Sequence, residues 1–443
     1  MSNNPPPRRA QPVRNVIAAV IGNALEFYDF TVYAVFATMI GRAFFPATDP
    51  YASLLLSVAT FFVGFIARPL GGIVIGAYAD RYGRRPAMTL TILLMAFGSG
   101  MIGVLPGYAQ IGIAAPILLA VARLIQGFST GGEMGPATTF LLETATPGRR
   151  CFYGSWQFAS QNIGSIISGV LGIVLALTLS PAATSDWGWR IAFLLGILIA
   201  PVGFFIRRNL RETLDIREAH DSMPAVLRDI VANHWRIVLL SILVISGATV
   251  TQYFFLYTTS YALTTLHFPT SVAMAANLTI GVAGAIFAVI GGLLADRYGL
   301  KTIALVPRII VTVLIYPALL LVVWSNSPAM LIVVLAVLMA FHAMAGSAGI
   351  TLIPVLFPTA TRTSGLSIAY ALGVTLFGGT AQIVFTALIR ATGDKLSWIW
   401  YIVGLCIISI LGTLAIRVPD QRTMSGAAQP APPLSGRSSH VAG

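Results

Sequence analysis

Charge is what this chain has least of. Only 9% of its 443 residues are Asp, Glu, Lys or Arg, against about 25% in an average soluble domain, too few to keep a water-facing surface solvated. Cysteine is nearly absent as well. Cys151 and Cys406 lie near or within apolar runs in different halves, without ligand spacing, which excludes a disulfide framework and leaves no metal expected. The phosphate-loop, HExxH and nucleophile-elbow motifs are missing, so nothing in the chain is expected to hydrolyse ATP or turn over a substrate covalently. No enzyme and no cofactor is expected.

What fills the chain instead is hydrocarbon: 56% of residues are apolar and the mean hydropathy is +0.83. A bilayer core of about 30 Å needs about 20 apolar residues per helix. A dozen such runs fit, at roughly 16–40, 53–79, 87–106, 112–142, 153–180, 187–206, 236–263, 272–295, 303–324, 328–356, 365–389 and 396–417. The expected fold is an all-α membrane protein of twelve transmembrane helices in two six-helix halves, 15–206 and 236–418. A polar segment, 207–235, joins them, with acids and bases alternating at helical spacing and a break at Pro224; it reads as a solvated helix along the inner face. The tails 1–14 and 419–443 are rich in Pro or in Pro, Ala, Ser and Gly and read as disordered.

The net charge of +12 does not point to nucleic acid, because the bases sit between hydrophobic runs. Of the 27 bases, Arg42, Arg190, Arg390 and Lys395 are those expected on one side, three (Arg68, Arg123, Arg308) fall inside spans, and the rest lie on the side of the termini. By the positive-inside rule both termini are cytoplasmic, in a bacterial-type inner membrane. Arg8, Arg9 and Arg14 precede a long span containing acids, which does not read as a cleaved signal peptide.

One tract occurs twice, half a chain apart: GAYADRYGRR from Gly76 to Arg85 and GLLADRYGLK from Gly292 to Lys301. Each closes one long apolar run and precedes another, which marks a duplicated unit. This repeated GxxxDRxG-R/K resembles the signature loop of the major facilitator superfamily. The resemblance implies alternating access, in which two halves rock about a midplane site. Asp80 with Arg81, Gly83, Arg84 and Arg85, and Asp296 with Arg297, Gly299 and Lys301, would then latch the halves on the inner side through charge and helix-end contacts.

Ionisable groups inside a membrane are functional candidates by default. The first span carries Glu26 and Asp29, which share a face with Gly22 and Tyr33. The fourth carries Arg123, Gln126 and Glu133. A guanidinium does not lose its proton, so Arg123 must face a carboxylate of the protein or an anionic ligand, and both readings stand. Arg68, before Pro69, reads as structural, and Arg308, early in its span, as snorkelling to the inner surface, with substrate contact the lesser alternative. The amides Gln157, Gln161 and Asn162 either line a cavity or tie helices together. Gln252, Tyr253 and Tyr257 repeat this pattern from the second half, and His342 reads as a packed histidine.

The stretches GNALEFYDF, FIARPLGG, RLIQGFSTGGEMG and ETATPGRRCFYGSWQFASQNIG resemble the metabolite:proton symporter family of that superfamily, most of all its citrate and tricarballylate members. Where those members tend to have Ala-Glu-Leu-Gly, this chain has Gly-Glu-Met-Gly followed by Pro136, which leaves the exact solute open. The resemblance implies a monomeric symporter for an organic anion, with Arg123 on the substrate and Asp29, Glu26 or Glu133 taking the proton; sodium is not excluded. The alternatives are 2-oxoglutarate, a shikimate-like acid, a zwitterionic osmolyte, or a sensor that binds without transport. Osmolyte carriers of the family would carry a C-terminal coiled coil and a sensor a signalling domain, and the tail reads as neither.

Overall fold

A computed structural model describes residues 13–82, 84–131, 138, 141–142, 144–146, 148–198, 201, 232–357 and 362–416. The tail, most of the joining segment, Gly83, Glu133, Pro136 and the C-terminal tail lie outside the described residues. So do the side chains of Asp80, Arg81, Arg84 and Arg85.

The spans are helices. In chain order they are α1 (Val13–Val35), α2 (Ala37–Phe44), α3 (Pro50–Tyr82), α4 (Arg84–Val104), α5 (Ala114–Thr130), α6 (Arg150–Thr178), α7 (Trp189–Ile197), α8 (Trp235–Thr264), α9 (Thr270–Tyr298), α10 (Leu300–Ser325), α11 (Pro328–Leu356), α12 (Arg362–Gly373), α13 (Ala381–Thr392) and α14 (Ile399–Ala415). Among the described residues no strand occurs. Among the described residues seven helical stretches are long and apolar enough to cross a membrane, and Thr89–Val104, Ala114–Thr130 and Ile399–Ala415 are shorter apolar helices. Large apolar side chains face outward, among them Leu177, Val104, Phe97 and Trp324, as lipid contact requires and water would penalise.

The first and eleventh spans are interrupted. The first turns at Phe36, between α1 and α2. The eleventh widens into a π-helical turn, Val374–Gly379, between α12 and α13. There Thr375 Oγ1 donates to the Phe65 carbonyl of α3 at 3.3 Å, so the widened turn meets the first half of the chain. The repeated tract is mostly helix rather than loop: Asp296 and Arg297 belong to α9, Lys301 to α10, and Gly299 alone makes the turn. Its φ of +96° is a conformation that glycine adopts without the steric cost of a Cβ.

Packing rests on small residues, because lipid supplies no hydrophobic drive between helices. α6 and α9, from different halves of the chain, pack most extensively. A Cβ on Gly169 would stand 2.8 Å from the Leu278 backbone, and one on Gly292 2.7 Å from the Cys151 carbonyl. Asn277 Nδ2 ties this seam polar-side, donating to the Ser165 carbonyl and to Ser168 Oγ, each at 3.1 Å. α3 and α5 meet in the same way at Gly64, Gly71, Gly127 and Gly131, where backbone lies against backbone.

Gly127→Ala puts a methyl into the Gly64 carbonyl, whereas at Gly404 a Cβ meets nothing within 4 Å. Overpacking of this kind costs about 1–3 kcal/mol. Gly127→Ala is expected to lower the thermal unfolding midpoint in detergent by several degrees, and Gly404→Ala to leave it unchanged or slightly raised.

Candidate functional site

Among the described residues three arginines, Arg68, Arg123 and Arg308, are buried, and the sequence surrounds each differently. Arg123 of α5 is 1% exposed. Its guanidinium donates through one terminal nitrogen to Gln126 Oε1 at 2.6 Å, one helical turn away, and Gln126 Nε2 in turn donates to Ser99 Oγ of α4 at 2.8 Å. The rest of the guanidinium lies over aromatic faces, 4.4 Å from the Tyr33 ring centre, 4.8 Å from Phe61 and 5.4 Å from Phe30. Its Nε and other terminal nitrogen make no hydrogen bond.

Asp29 of α1 completes this group. It is 1% exposed, and neither carboxylate oxygen has a hydrogen-bond partner. Ser99 stands beside it, Arg123 is the cation that bears on it, and a Cβ on Gly196 of α7 would lie 2.8 Å from one of its oxygens. Because Ser99 accepts from Gln126, its own hydroxyl hydrogen remains available to Asp29. Ser99 and Gln126 therefore stand between a buried acid and a buried base, bonded to the base and adjacent to the acid.

Arg68 of α3 shares the aromatic cluster, 4.1 Å from the Phe65 ring centre and 4.5 Å from Phe30. The Tyr253 side chain of α8 lies within electrostatic reach of Arg68 and Arg123 and packs on Phe65 at 5.6 Å between ring centres. Glu26 is half-buried, and Tyr370 lies within reach of both Glu26 and Arg68. Phe30, Phe61, Phe65 and Tyr253 thus bridge the two halves of the chain around two cations.

Behind Phe30 is a cavity of about 80 Å³, lined by α1, α6, α8, α10, α11, α12, α14 and the π-helical turn. Its polar lining includes Gln161, Gln252, Tyr253, Thr249, Tyr370 and Arg308. Arg123, Gln126, Gln157, Asn162, Tyr33 and Tyr257 do not line it. The fork that the sequence offers to a substrate at Arg123 is turned, in this conformation, toward Gln126 and aromatic rings.

The remaining sequence candidates are placed as follows. Gln157 exchanges with Asn23 of α1, its Nε2 donating to Asn23 Oδ1 at 3.1 Å, so that amide ties helix to helix. Asn162 donates to the Phe158 carbonyl at 2.9 Å and packs against Gly284 of α9. The Tyr33 hydroxyl donates to the Ser57 carbonyl at 3.1 Å, and Tyr257 accepts from Thr386 Oγ1 at 3.1 Å. Gln252 Oε1 meets His342 Nε2 at 3.1 Å. Arg308 does not snorkel: it is 7% exposed and faces inward, because α10 continues through Pro307 and places this position on the face lining the cavity.

The latch residues divide. Asp296 accepts from the backbone nitrogens of Cys151 and Phe152 at 2.8 and 2.9 Å. It thereby caps the N-terminus of α6 across the two halves, where the helix dipole favours negative charge. Lys301 instead donates to the Leu414 and Ile416 carbonyls at 2.8 and 2.7 Å, a bond within the second half that closes the end of α14. Arg297 lies over the Tyr298 ring.

At the opposite end of the bundle, two contacts that sequence reasoning missed join the halves. Asp49 pairs with Arg390 at 2.9 Å, and the Tyr51 hydroxyl meets Thr265 Oγ1 at 3.2 Å. The ion pair is 38–49% exposed, which limits it to about 0–1 kcal/mol. Complementary charge between the start of one span and the end of another was the available signal.

Residues 19–313 match the Major Facilitator Superfamily. The chain is 37% identical to a citrate-proton symporter of Klebsiella pneumoniae over 86% of each chain. It is 35% identical to a citrate-proton symporter of Salmonella typhi, over 94% of this chain and 97% of the other. It is also 32% identical to a glycine betaine/proline/ectoine/pipecolic acid transporter of Dickeya dadantii, over 95% and 86%. The fold matches that of the xylose transporter XylE from E. coli with a TM-score of 0.72, at 17% identity, over 91% of this chain and 96% of the other.

Removing the charge of Asp296 should loosen the α6 cap and uncover Cys151, which is buried directly beneath it. Two charge-assisted bonds are lost, so in a Cys406→Ala background Asp296→Asn is expected to raise the rate of maleimide labelling at Cys151 about tenfold. An unchanged rate would separate Asp296 from any closure.

Proposed function

The chain belongs to the major facilitator superfamily, and from that membership we propose that it is a secondary active transporter importing a di- or tricarboxylate, such as citrate or tricarballylate, by proton symport. It is a multi-pass membrane protein and no enzyme. Its working unit is a single chain in a bacterial-type inner membrane with both termini cytoplasmic, a placement supported by the distribution of bases.

The observation that carries the coupling is Asp29, enclosed with no hydrogen bond to either oxygen. A carboxylate so enclosed needs a proton or a cation for company. Arg123, held by Gln126 and through it by Ser99, bears on Asp29 electrostatically and serves as the cation. Protonation of Asp29 frees that guanidinium electrostatically, and an incoming anion draws on the positive charge released. Loading of proton and anion thereby favour each other, which is what symport requires. Glu26, half-buried near Arg68 and Tyr370, is the second acid of the same wall.

Access alternates as the two ends open in turn. The Asp296 cap on α6 closes the end carrying the tract, and Asp49–Arg390 with Tyr51–Thr265 closes the other. The small-residue seam between α6 and α9 permits rocking without exposing unsatisfied backbone to lipid.

In proteoliposomes, uptake of labelled citrate should rise with an imposed proton gradient and collapse with a protonophore. Asp29→Asn should abolish gradient-driven accumulation yet retain citrate/citrate exchange, which needs no net proton movement. Undiminished accumulation would remove Asp29 from coupling. Arg123→Lys keeps the charge but loses the planar fork on Gln126, and transport should fall roughly tenfold or more.

A further inference from the structure

The cavity holds a cation with no acid to match it. Among the described residues lining it, Arg308 is the guanidinium and none is a carboxylate. One terminal nitrogen of Arg308 has no hydrogen-bond partner, and the groups that bear on it electrostatically are Cys406 and His342. Arg68 and Arg123 are covered by aromatic faces, and Arg123 has an acid within reach. Arg308 has neither. A buried guanidinium that opens on a cavity and faces no carboxylate is complete only with an anionic guest.

The rest of the lining fits such a guest. Gln161, from α6 in the first half of the chain, also faces the cavity, and its Nε2 has no partner. On the second-half wall Gln252 Oε1 is occupied by His342 Nε2, which leaves the Gln252 amide nitrogen as a further donor toward the cavity. His342 is wedged between Phe158 and Phe255, at 5.7 and 5.3 Å between ring centres, so the pair is fixed in place.

We propose that Arg308 seats a carboxylate of the transported anion, with the Gln161 amide donating to the same guest from the opposite half and Gln252, held by His342, completing the cradle. The guest therefore bridges α10 and α6 and draws the halves together when it binds. This assignment rests on the transport reading above, but it concerns where the anion sits rather than how the proton is coupled.

The test uses the purified full-length protein, with binding of citrate, tricarballylate, 2-oxoglutarate and glycine betaine measured by titration calorimetry. Each of these probes carries a carboxylate. Arg308→Gln is expected to weaken the bound probe roughly 10- to 100-fold, the loss of charge-assisted hydrogen bonds, and Arg308→Lys to recover part of it. The KM of exchange in proteoliposomes should rise in proportion while the proton-to-solute ratio of residual uptake stays at the wild-type value. That is the reverse of the signature expected for Asp29→Asn, and a merely structural role would not produce it. Should Arg308→Gln fail to fold, Gln161→Leu serves instead and should weaken binding by about two- to tenfold. Wild-type affinity in a folded Arg308→Gln or in Gln161→Leu overturns the assignment. A wild-type protein that binds betaine and no polycarboxylate overturns the choice of solute and leaves Arg308 to be judged on betaine. Wild-type protein that binds none of the four overturns both.

Discussion

A guanidinium keeps its proton under any condition a cell tolerates, and in a medium without water that permanence has to be accommodated by whatever surrounds it. Arg68, Arg123 and Arg308 are all buried, and the neighbourhood of each answers a different way. Arg68 lies between two phenylalanine faces. Arg123 has an amide, three rings and, through Ser99, a carboxylate. Arg308 opens on a cavity. Aromatic faces offer about 0.5–2 kcal/mol each to a cation, enough to hold it but less than an ion pair would, so the charge stays available. The crowd of aromatic residues at the centre, Phe30, Tyr33, Phe61, Phe65 and Tyr253, is a cushion for positive charge.

The helices that carry these groups could not come close enough without their small residues. At Gly64 and Gly127 backbone lies on backbone, and this brings the Arg123 side chain onto the rings of α1 and α3. α6 does the most varied work. Its N-terminus is capped by Asp296, its Gln157 holds α1, its Ser165 and Ser168 hold α9, and its Gln161 looks into the cavity. One helix therefore touches the Asp296 cap at one end, the seam between halves and the cavity itself.

Much of the site was legible in the residues. Arg123 and Gln126 were legible as neighbours three residues apart, though the fork read as offered to a substrate is bonded to Gln126 itself, and an acid in the first span stood out because lipid tolerates none without reason. The acid of the second repeated tract was legible as a helix-end contact. Other features were not. Gln157 and Gln161 occupy the same helical face by sequence, yet one is spent on Asn23 and the other is free, because only the crossing of α1 over α6 separates them. Tyr253, Tyr257 and Tyr261 form one stripe, but Tyr253 alone of the three meets the arginines. Tyr257 turns to Thr386, and Tyr261 donates to the Lys395 carbonyl. Lys301 reads as part of a latch beside Asp296, whereas its side chain reaches back to the end of α14.

By itself the sequence determined that this chain lives in lipid, that its helices cross it in a duplicated pattern, and that a few charges are buried at a cost. These follow from composition and period, which act locally along the chain. Tertiary structure decided which of those charges face each other and which face empty space. Arg68, Arg123 and Arg308 are alike as letters in an apolar run. Only the angle at which neighbouring helices cross, set by glycines far apart in the chain, covers the first two with rings and leaves the third looking into a cavity.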